Sequence, residues 1–337
     1  MQEASYYRSE AGQRVRCFLC PHNCRIAEGK NGLCQVRGNR GGVLYALTYG
    51  QVVSAAPDPI EKKPLYHYYP GGATLSIGSV GCNLHCLHCQ NWQISQCSAA
   101  KGESALQRLT PADAIAATRA RGADILVFTY NEPSLWFEYI LDCASFAREQ
   151  QVKLVLVTSG MINPQPLQEL LAVVDAYRVD IKGFSHEFYQ NLTGYDVLDQ
   201  VLANTKAAFQ AGVHVEVVTN LIPGWNDDDD QLRGLAGWIR DDLCDQTPWH
   251  ITRYHPCHRL TAPATPLHAL ERGLQLGREA GLKHIYLGNI AAHATENTCC
   301  AACGELLIAR RGFSLLKNRL VAGRCPACQA PLGCYRG

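Results

Sequence analysis

The amino-acid sequence predicts an α/β chain built on a partial or complete (β/α) barrel, with cysteine-rich segments at both ends. Three observations carry this. Between Thr74 and Asn289, short runs rich in β-branched residues alternate with helical patterns, as in a parallel sheet covered by helices. Polar residues collect at one end of those otherwise apolar runs. The 17 cysteines of the 337-residue chain are grouped rather than scattered.

The expected strands are Thr74–Ser79, Asp124–Thr129, Lys153–Thr158, Ala176–Ile181, His214–Thr219, His250–Tyr254 and His284–Leu287. Between the first two, Thr110-Pro111-Ala112-Asp113 supplies an N-cap, a proline suited to the first helical turn and an acidic residue near the positive end of the helix dipole. Further helices are expected over 134–150, 164–171, 197–211, 227–242 and 266–280. The acidic run Asn226-Asp227-Asp228-Asp229-Asp230 reads as a helix start, with Asn226 as its cap. The expected division is an N-terminal metal-binding region over 1–70, a barrel over 71–295 and a small domain over 296–337.

A net charge of +1, without blocks of one sign, argues against nucleic acid or a membrane surface as partner. No apolar run approaches the ~20 residues of a membrane span, and Met1-Gln-Glu-Ala-Ser lacks a leader's apolar stretch, so a cytoplasmic protein is expected. In such a chain, clustered cysteines read as metal binding before disulfides. Cys97, Cys143, Cys244 and Cys257 stand alone and read as ordinary buried thiols.

In barrels and open α/β sheets, function sits at the carboxyl ends of the strands. Those ends carry Thr129-Tyr130-Asn131-Glu132-Pro133, Thr158-Ser159-Gly160, Asp180-Ile181-Lys182-Gly183, Thr219-Asn220-Leu221-Ile222-Pro223-Gly224, Thr252-Arg253-Tyr254-His255 and Gly288-Asn289. Each has a bland reading: Asn131 as a turn residue, Asp180 and Lys182 as a rim ion pair, Gly224 as a turn glycine. As a ring they imply a ligand at the barrel mouth.

Into that ring falls Cys82-x-x-x-Cys86-x-x-Cys89, in a short loop after the first barrel strand. By composition alone such a triplet arises by chance roughly 0.04 times per chain, so its position carries part of the argument. Three thiols do not close a structural metal site. An iron–sulfur cubane held by three cysteines keeps one iron open for chemistry.

These residues carry a family resemblance. Gly81-Cys82-Asn83-Leu84-His85-Cys86 and Cys89-Gln90-Asn91-Trp92 resemble the radical S-adenosylmethionine (SAM) superfamily, and within it the pyruvate formate-lyase activating enzyme group. Cys17-Phe-Leu-Cys-Pro-His-Asn-Cys24, Asp58-Pro-Ile-Glu-Lys-Lys-Pro-Leu-Tyr66, Thr129–Pro133, Val179–Gly183 and Tyr286–Asn289 narrow the likeness to the radical SAM enzyme of the AmmeMemoRadiSam system. Two stretches depart from that pattern: Asn297-Thr298-Cys299-Cys300-Ala301 and Gly288-Asn289-Ile290-Ala291-Ala292. The resemblance implies a barrel of radical SAM type, with Cys82, Cys86 and Cys89 holding a [4Fe–4S] cluster whose open iron chelates SAM. It further implies that Asn131 and Glu132 engage the methionine amino group, Asp180 and Lys182 the body of SAM, and Thr219, Asn220 and Gly224 the ribose or adenine. Reductive cleavage of SAM would yield methionine and a 5′-deoxyadenosyl radical that takes hydrogen from a substrate. An electron donor such as flavodoxin or ferredoxin, and Memo-like and AMMECR-like proteins, are the implied partners.

Two other readings stand beside this one: a glycyl-radical-enzyme activase, and a non-catalytic metal-binding scaffold, for which the ring at the mouth has no use. Cys300-x-x-Cys303 and Cys325-x-x-Cys328 have the paired spacing of a zinc ribbon, so a zinc-ribbon-like domain with structural zinc is expected there, its sheet supplied by Leu306–Phe313 with Leu320 and Val321. Arg310, Arg311, Lys317, Arg319 and Arg324 make this segment basic; a solvated cap is the expected reading over RNA binding. Cys17, Cys20, Cys24 and Cys34, with His22 among them, leave zinc and a second iron–sulfur cluster both open, with zinc favoured because four thiolates make a closed site and Asn31-Gly32 gives the turn between ligands.

Overall fold

The computed structural model describes residues 1–102, 105–290 and 293–337. Its main sheet has eight strands: β1 Ser54–Pro59, β2 Ala73–Gly78, β3 Ile125–Phe128, β4 Lys153–Thr158, β5 Ala176–Asp180, β6 His214–Leu221, β7 Trp249–Arg253 and β8 Ile285–Gly288. They lie side by side in chain order. β2 to β8 are parallel, and β1 runs antiparallel to β2. Among the described residues β1 and β8 form the two edges and do not pair, so the barrel is partial and not complete.

All seven expected strands are present, within a few residues at their ends. β1, which carries Pro57 and Pro59, was not among the expected strands. An edge strand tolerates prolines, since one side of it has no ladder to donate to. The sheet therefore begins inside the segment expected to belong to the N-terminal region.

Helices cover the outer face: α1 Pro111–Ala120, α2 Phe137–Glu149, α3 Pro164–Leu171, α4 Leu198–Gln210, α5 Asp229–Trp238 and α6 Leu267–Glu279. Thr110 caps α1, its hydroxyl accepting from the Asp113 N–H at 3.2 Å. The cap of α5 is Asp228, which accepts from the Gln231 N–H at 2.9 Å, and not Asn226. Asn226 is buried and pins the β6 loop instead: it accepts from the Ile222 N–H and donates to the carbonyls of Lys182 and Asn220.

Residues 60–69 fill the barrel from the amino ends of the strands. Ile60, Leu65 and Tyr68 pack against the inward side chains Ile125, Val127, Val155, Val157 and Ala176 in one apolar cluster. Glu216, fully buried on β6, anchors this plug by accepting from the N–H groups of Tyr66 (2.9 Å) and His67 (2.8 Å), and from His214 Nε2 (2.9 Å) and His250 Nε2 (2.6 Å). Burial alone would raise this carboxyl, but the two imidazole donors outweigh it and hold it well below the usual carboxylate range.

Before the barrel come two three-stranded antiparallel sheets, Tyr7–Glu10 with Arg14–Cys17 and Arg25–Ile26, and Gln2–Glu3 with Val43–Ala46 and Arg37–Arg40. They dock through Arg37, whose guanidinium pairs with Glu138 of α2 and donates to the Ser5 carbonyl. After the barrel, Thr298–Cys299, Leu306–Arg311 and Ser314–Asn318 form a small antiparallel sheet. Its third strand was expected from Leu320 and Val321 and comes earlier. Arg310, expected on a basic surface, is buried against the plug: it donates to the Tyr66 carbonyl (2.6 Å), stacks 4.2 Å over the Tyr66 ring and faces Glu61.

Replacing Glu216 with alanine leaves buried donors unanswered, and denaturant melts should show a loss of roughly 3–5 kcal/mol. Burial also holds the His284 imidazole down to about 4 and pushes that of His67 well below its ordinary value. Both stay neutral in the fold where the unfolded chain binds a proton. Stability should therefore be full above about pH 6.5 and fall as pH drops toward about 4. His284→Leu should make that fall shallower; an unchanged slope would show that His284 does not contribute.

Candidate active site at the barrel mouth

A cavity of about 300 Å³ opens at the carboxyl ends of the strands, and Cys82, Cys86 and Cys89 form part of its wall. The loop that carries them is held by its backbone. The His85 and Leu87 N–H groups donate to the carbonyls of Thr193 and Leu192, and the Leu87 carbonyl accepts from the N–H groups of Arg259 and Leu260. Asn83, fully buried, donates from its amide to the Met161 carbonyl at 2.7 Å. Gly81 enters the loop at φ +84°, where a Cβ would lie 2.4 Å from Val36. Only glycine fits there.

Asn131 lines the cavity and ties the loop to β3, donating to the carbonyls of Gly81 (2.8 Å) and Val80 (3.2 Å). Its neighbour Tyr130 holds φ +76°, an uncommon conformation for a bulky residue and one that clusters at functional sites. Glu132 also lines the cavity, but its carboxylate already accepts from the Thr158 hydroxyl, the Ser134 N–H, and the Ser159 N–H and hydroxyl, all within 3.0 Å. Those partners fill its lone pairs. Glu132 therefore braces the ends of β3 and β4 and presents no free oxygen.

Asp180 and Lys182 face the cavity together with Arg178, which the sequence reading missed although it lies two residues before Asp180 on the same side of β5. Asp180 pairs with Arg178 and with Lys182, whose Nζ lies 3.3 Å away. Burial alone would raise the Asp180 carboxyl, but the two cations hold it below the usual range. Lys62 of the plug adds a further positive charge to the wall. It belongs to Asp58-Pro-Ile-Glu-Lys-Lys, where Asp58 holds Lys62 and Lys63 at 2.7 Å each.

The β6 loop is only half as expected. Asn220 lines the cavity and donates to the Thr252 hydroxyl at 3.1 Å. Thr219, one residue away, points to the other face of the sheet, where its hydroxyl donates to the Ile181 carbonyl and accepts from the Trp249 indole. Gly224 lies in an exposed turn at φ +75°, its N–H held by Asp227, and does not reach the cavity. Asn289 lines the wall, at φ +57°. Ala291 and Ala292 of the departing loop lie outside the described residues.

Among the described residues, only Cys300, Cys303, Cys325 and Cys328 bring three or more His, Cys, Asp or Glu ligand atoms within 4.8 Å of one another. The mouth cysteines stand further apart, so they cannot close on one ion. A cubane places a separate iron behind each thiolate and requires such spacing. Three thiolates, an adjoining cavity and a cationic wall suit a cluster with a bound zwitterionic ligand beside it.

A parallel sheet that works from its carboxyl end with a three-cysteine loop defines a class of iron–sulfur enzyme. Residues 76–236 match the family model described as the radical SAM superfamily. An uncharacterized protein of Methanocaldococcus jannaschii is 40% identical over 331 residues, covering 97% of this chain and 98% of that one. The pyruvate formate-lyase 1-activating enzyme of Escherichia coli is 25% identical over 184 residues, covering 52% of this chain and 73% of its own. A radical SAM methyltransferase from Sphaerobacter thermophilus shares the fold, with a TM-score of 0.50 and 20% identity over 71% of each chain. The chain belongs to the radical SAM superfamily and is an activating-enzyme-like member of it.

Ser95 sits where it could tune a cluster held by these thiols. Its hydroxyl lies 3.1 Å from Cys89 Sγ and accepts from the Gln96 amide at 3.2 Å, leaving its proton for the sulfur. Hydrogen bonds to cluster sulfurs raise the reduction potential by stabilising the more negative state. Ser95→Ala should lower the midpoint potential, on the order of tens of millivolts, in a redox titration followed by EPR. An unmoved potential would remove the role.

Proposed function

We propose that this enzyme binds SAM in the barrel-mouth cavity, against a [4Fe–4S] cluster held by Cys82, Cys86 and Cys89, and takes a hydrogen atom from a substrate within the AmmeMemoRadiSam system. The observation that carries this reading is the placing of three thiols, too far apart for one ion, in the wall that also holds Asp180, Lys182 and Arg178. Cluster and SAM together supply reductive cleavage of the sulfonium to methionine and a 5′-deoxyadenosyl radical. The chain's own residues do the rest. Lys62, Arg178 and Lys182 face the cavity with positive charge that suits the SAM carboxylate. Asp180, held ionised, offers the oxygens that can accept from ammonium or ribose hydroxyl, while Asn131 and Glu132 fix the loop and strand ends around them.

The electron comes from a low-potential donor of the flavodoxin or ferredoxin kind, and Memo-like and AMMECR-like proteins are the proposed partners. Likeness to activating enzymes supports a second reading, in which the hydrogen comes from a backbone glycine of a glycyl radical enzyme.

The anaerobically reconstituted protein should show a reduced-cluster EPR signal that changes when SAM is added, and should release 5′-deoxyadenosine. Cys86→Ala should abolish this release, and normal cleavage by that variant would end the assignment. Lys182→Met should weaken SAM binding at least about tenfold, or about 1.4 kcal/mol, by equilibrium binding.

The C-terminal four cysteines suit one zinc. Cys300 and Cys328 have their sulfurs 3.6 Å apart, as do Cys303 and Cys325, the separation of thiolates on a tetrahedral ion. Cys299 is exposed and outside this group. Metal analysis should find about one zinc per chain that is lost in Cys325→Ser, with a lower unfolding midpoint because Arg310 and the plug lose their support. Retention of that zinc would remove the assignment.

A further inference from the structure

Cys17, Cys20, Cys24 and Cys34 take no part at the barrel mouth, and they are arranged differently from the C-terminal four. Together they enclose a small apolar cavity of about 10 Å³, room for one water-sized sphere. No three of their sulfurs come within 4.8 Å of one another, whereas the C-terminal four all do. A tetrahedral zinc with sulfur about 2.3 Å away on every side leaves no such space. A cubane holds four thiolates apart around a central volume, each on its own iron. Like the mouth cysteines, the N-terminal group does not draw its sulfurs together as the C-terminal four do, and it has a fourth thiol to close the site.

A second observation points into the same cavity. The Arg37 guanidinium lines it and is 1% exposed. Its Nη atoms are used on Glu138 and on the Ser5 carbonyl, but its Nε has no hydrogen-bond partner. A buried N–H without an acceptor calls for one. The sulfides and thiolates of an anionic cluster would answer it, and the positive charge would offset theirs.

One hydrogen bond ties the wall of this cavity to the cysteine loop of the mouth. His22 lines the cavity and donates from Nε2 to the carbonyl of Asn83 at 2.8 Å, and Asn83 directly follows Cys82. We propose that Cys17, Cys20, Cys24 and Cys34 hold a second [4Fe–4S] cluster, which relays single electrons to the mouth cluster across the His22–Asn83 contact. One electron leaves a low-potential donor protein and reduces the second cluster; the same electron then passes to the mouth cluster and restores the second. No bond forms or breaks. The site itself does not depend on the function proposed above, whereas the relay does.

The test counts metals in the anaerobically reconstituted full chain. Wild type should contain about eight irons and eight sulfides, and a variant with Cys82, Cys86 and Cys89 all changed to alanine about four of each. That variant should keep a reduced-cluster EPR signal that ignores SAM. No iron in it, with a further zinc in wild type, would overturn the cluster. The complementary variant Cys20→Ser with Cys24→Ser should fall from about eight irons to four and keep the SAM-responsive signal. Its mouth cluster should be reduced by flavodoxin at least tenfold more slowly, and an unchanged rate would overturn the relay. A wild-type protein with the full iron count but no response to SAM would sink the proposed function and leave the second cluster standing.

Discussion

The carboxylate of Glu216 holds the plug, and much of the molecule is arranged around the plug. A partial barrel has two free edges and an interior that its own side chains do not fill. Residues 60–69 supply the missing apolar volume, but their backbone must then enter a dry space where its N–H groups need acceptors. A single anion on β6 answers two of them in sequence, at Tyr66 and His67, and is itself stabilised by His214 and His250. The plug in turn provides Lys62 and Pro64 to the cavity floor and the Tyr66 carbonyl and ring to Arg310. One buried charge thus links the barrel, the floor of the reaction chamber and the C-terminal sheet.

The mouth separates two kinds of polar residue that look alike in sequence. Some are committed to the protein. Glu132 has its oxygens filled, Asn131 ties the cysteine loop to β3, and Asn226 pins the turn after β6. Others retain capacity toward the cavity, as Asp180 does between Arg178 and Lys182. Rigidity and recognition are carried by different side chains, which holds the recognising groups in place before any ligand arrives.

The parallel strands were legible because each is a short β-branched run followed by a turn, and the ring of polar residues was legible because it interrupts those runs. Which ring residues face inward was not. Thr219 and Asn220 are adjacent and both polar, but the alternation of a strand sends only Asn220 to the cavity, and that parity depends on the register of β6. Arg178 passed unnoticed because a lone arginine inside a strand has no local pattern. β1 was hidden, since its identity comes from pairing with β2 and not from its own composition. Arg310 looked like part of a solvated basic face because the partner that buries it lies some 240 residues earlier in the chain, at Tyr66. Local chemistry shows in a sequence, whereas long-range burial does not.

The C-terminal sheet docks at the amino ends of the strands, through Arg310 on Tyr66, the His67 ring on the Gly333 carbonyl, and the Tyr69 N–H on the Arg336 carbonyl. The chamber opens at the opposite end. The molecule therefore has a supported pole and a working pole, and nothing of the C-terminal sheet encroaches on the approach to the thiols. Sequence change on its outer face is uncoupled from the geometry that greets an incoming molecule, so that face can drift while the rim cannot.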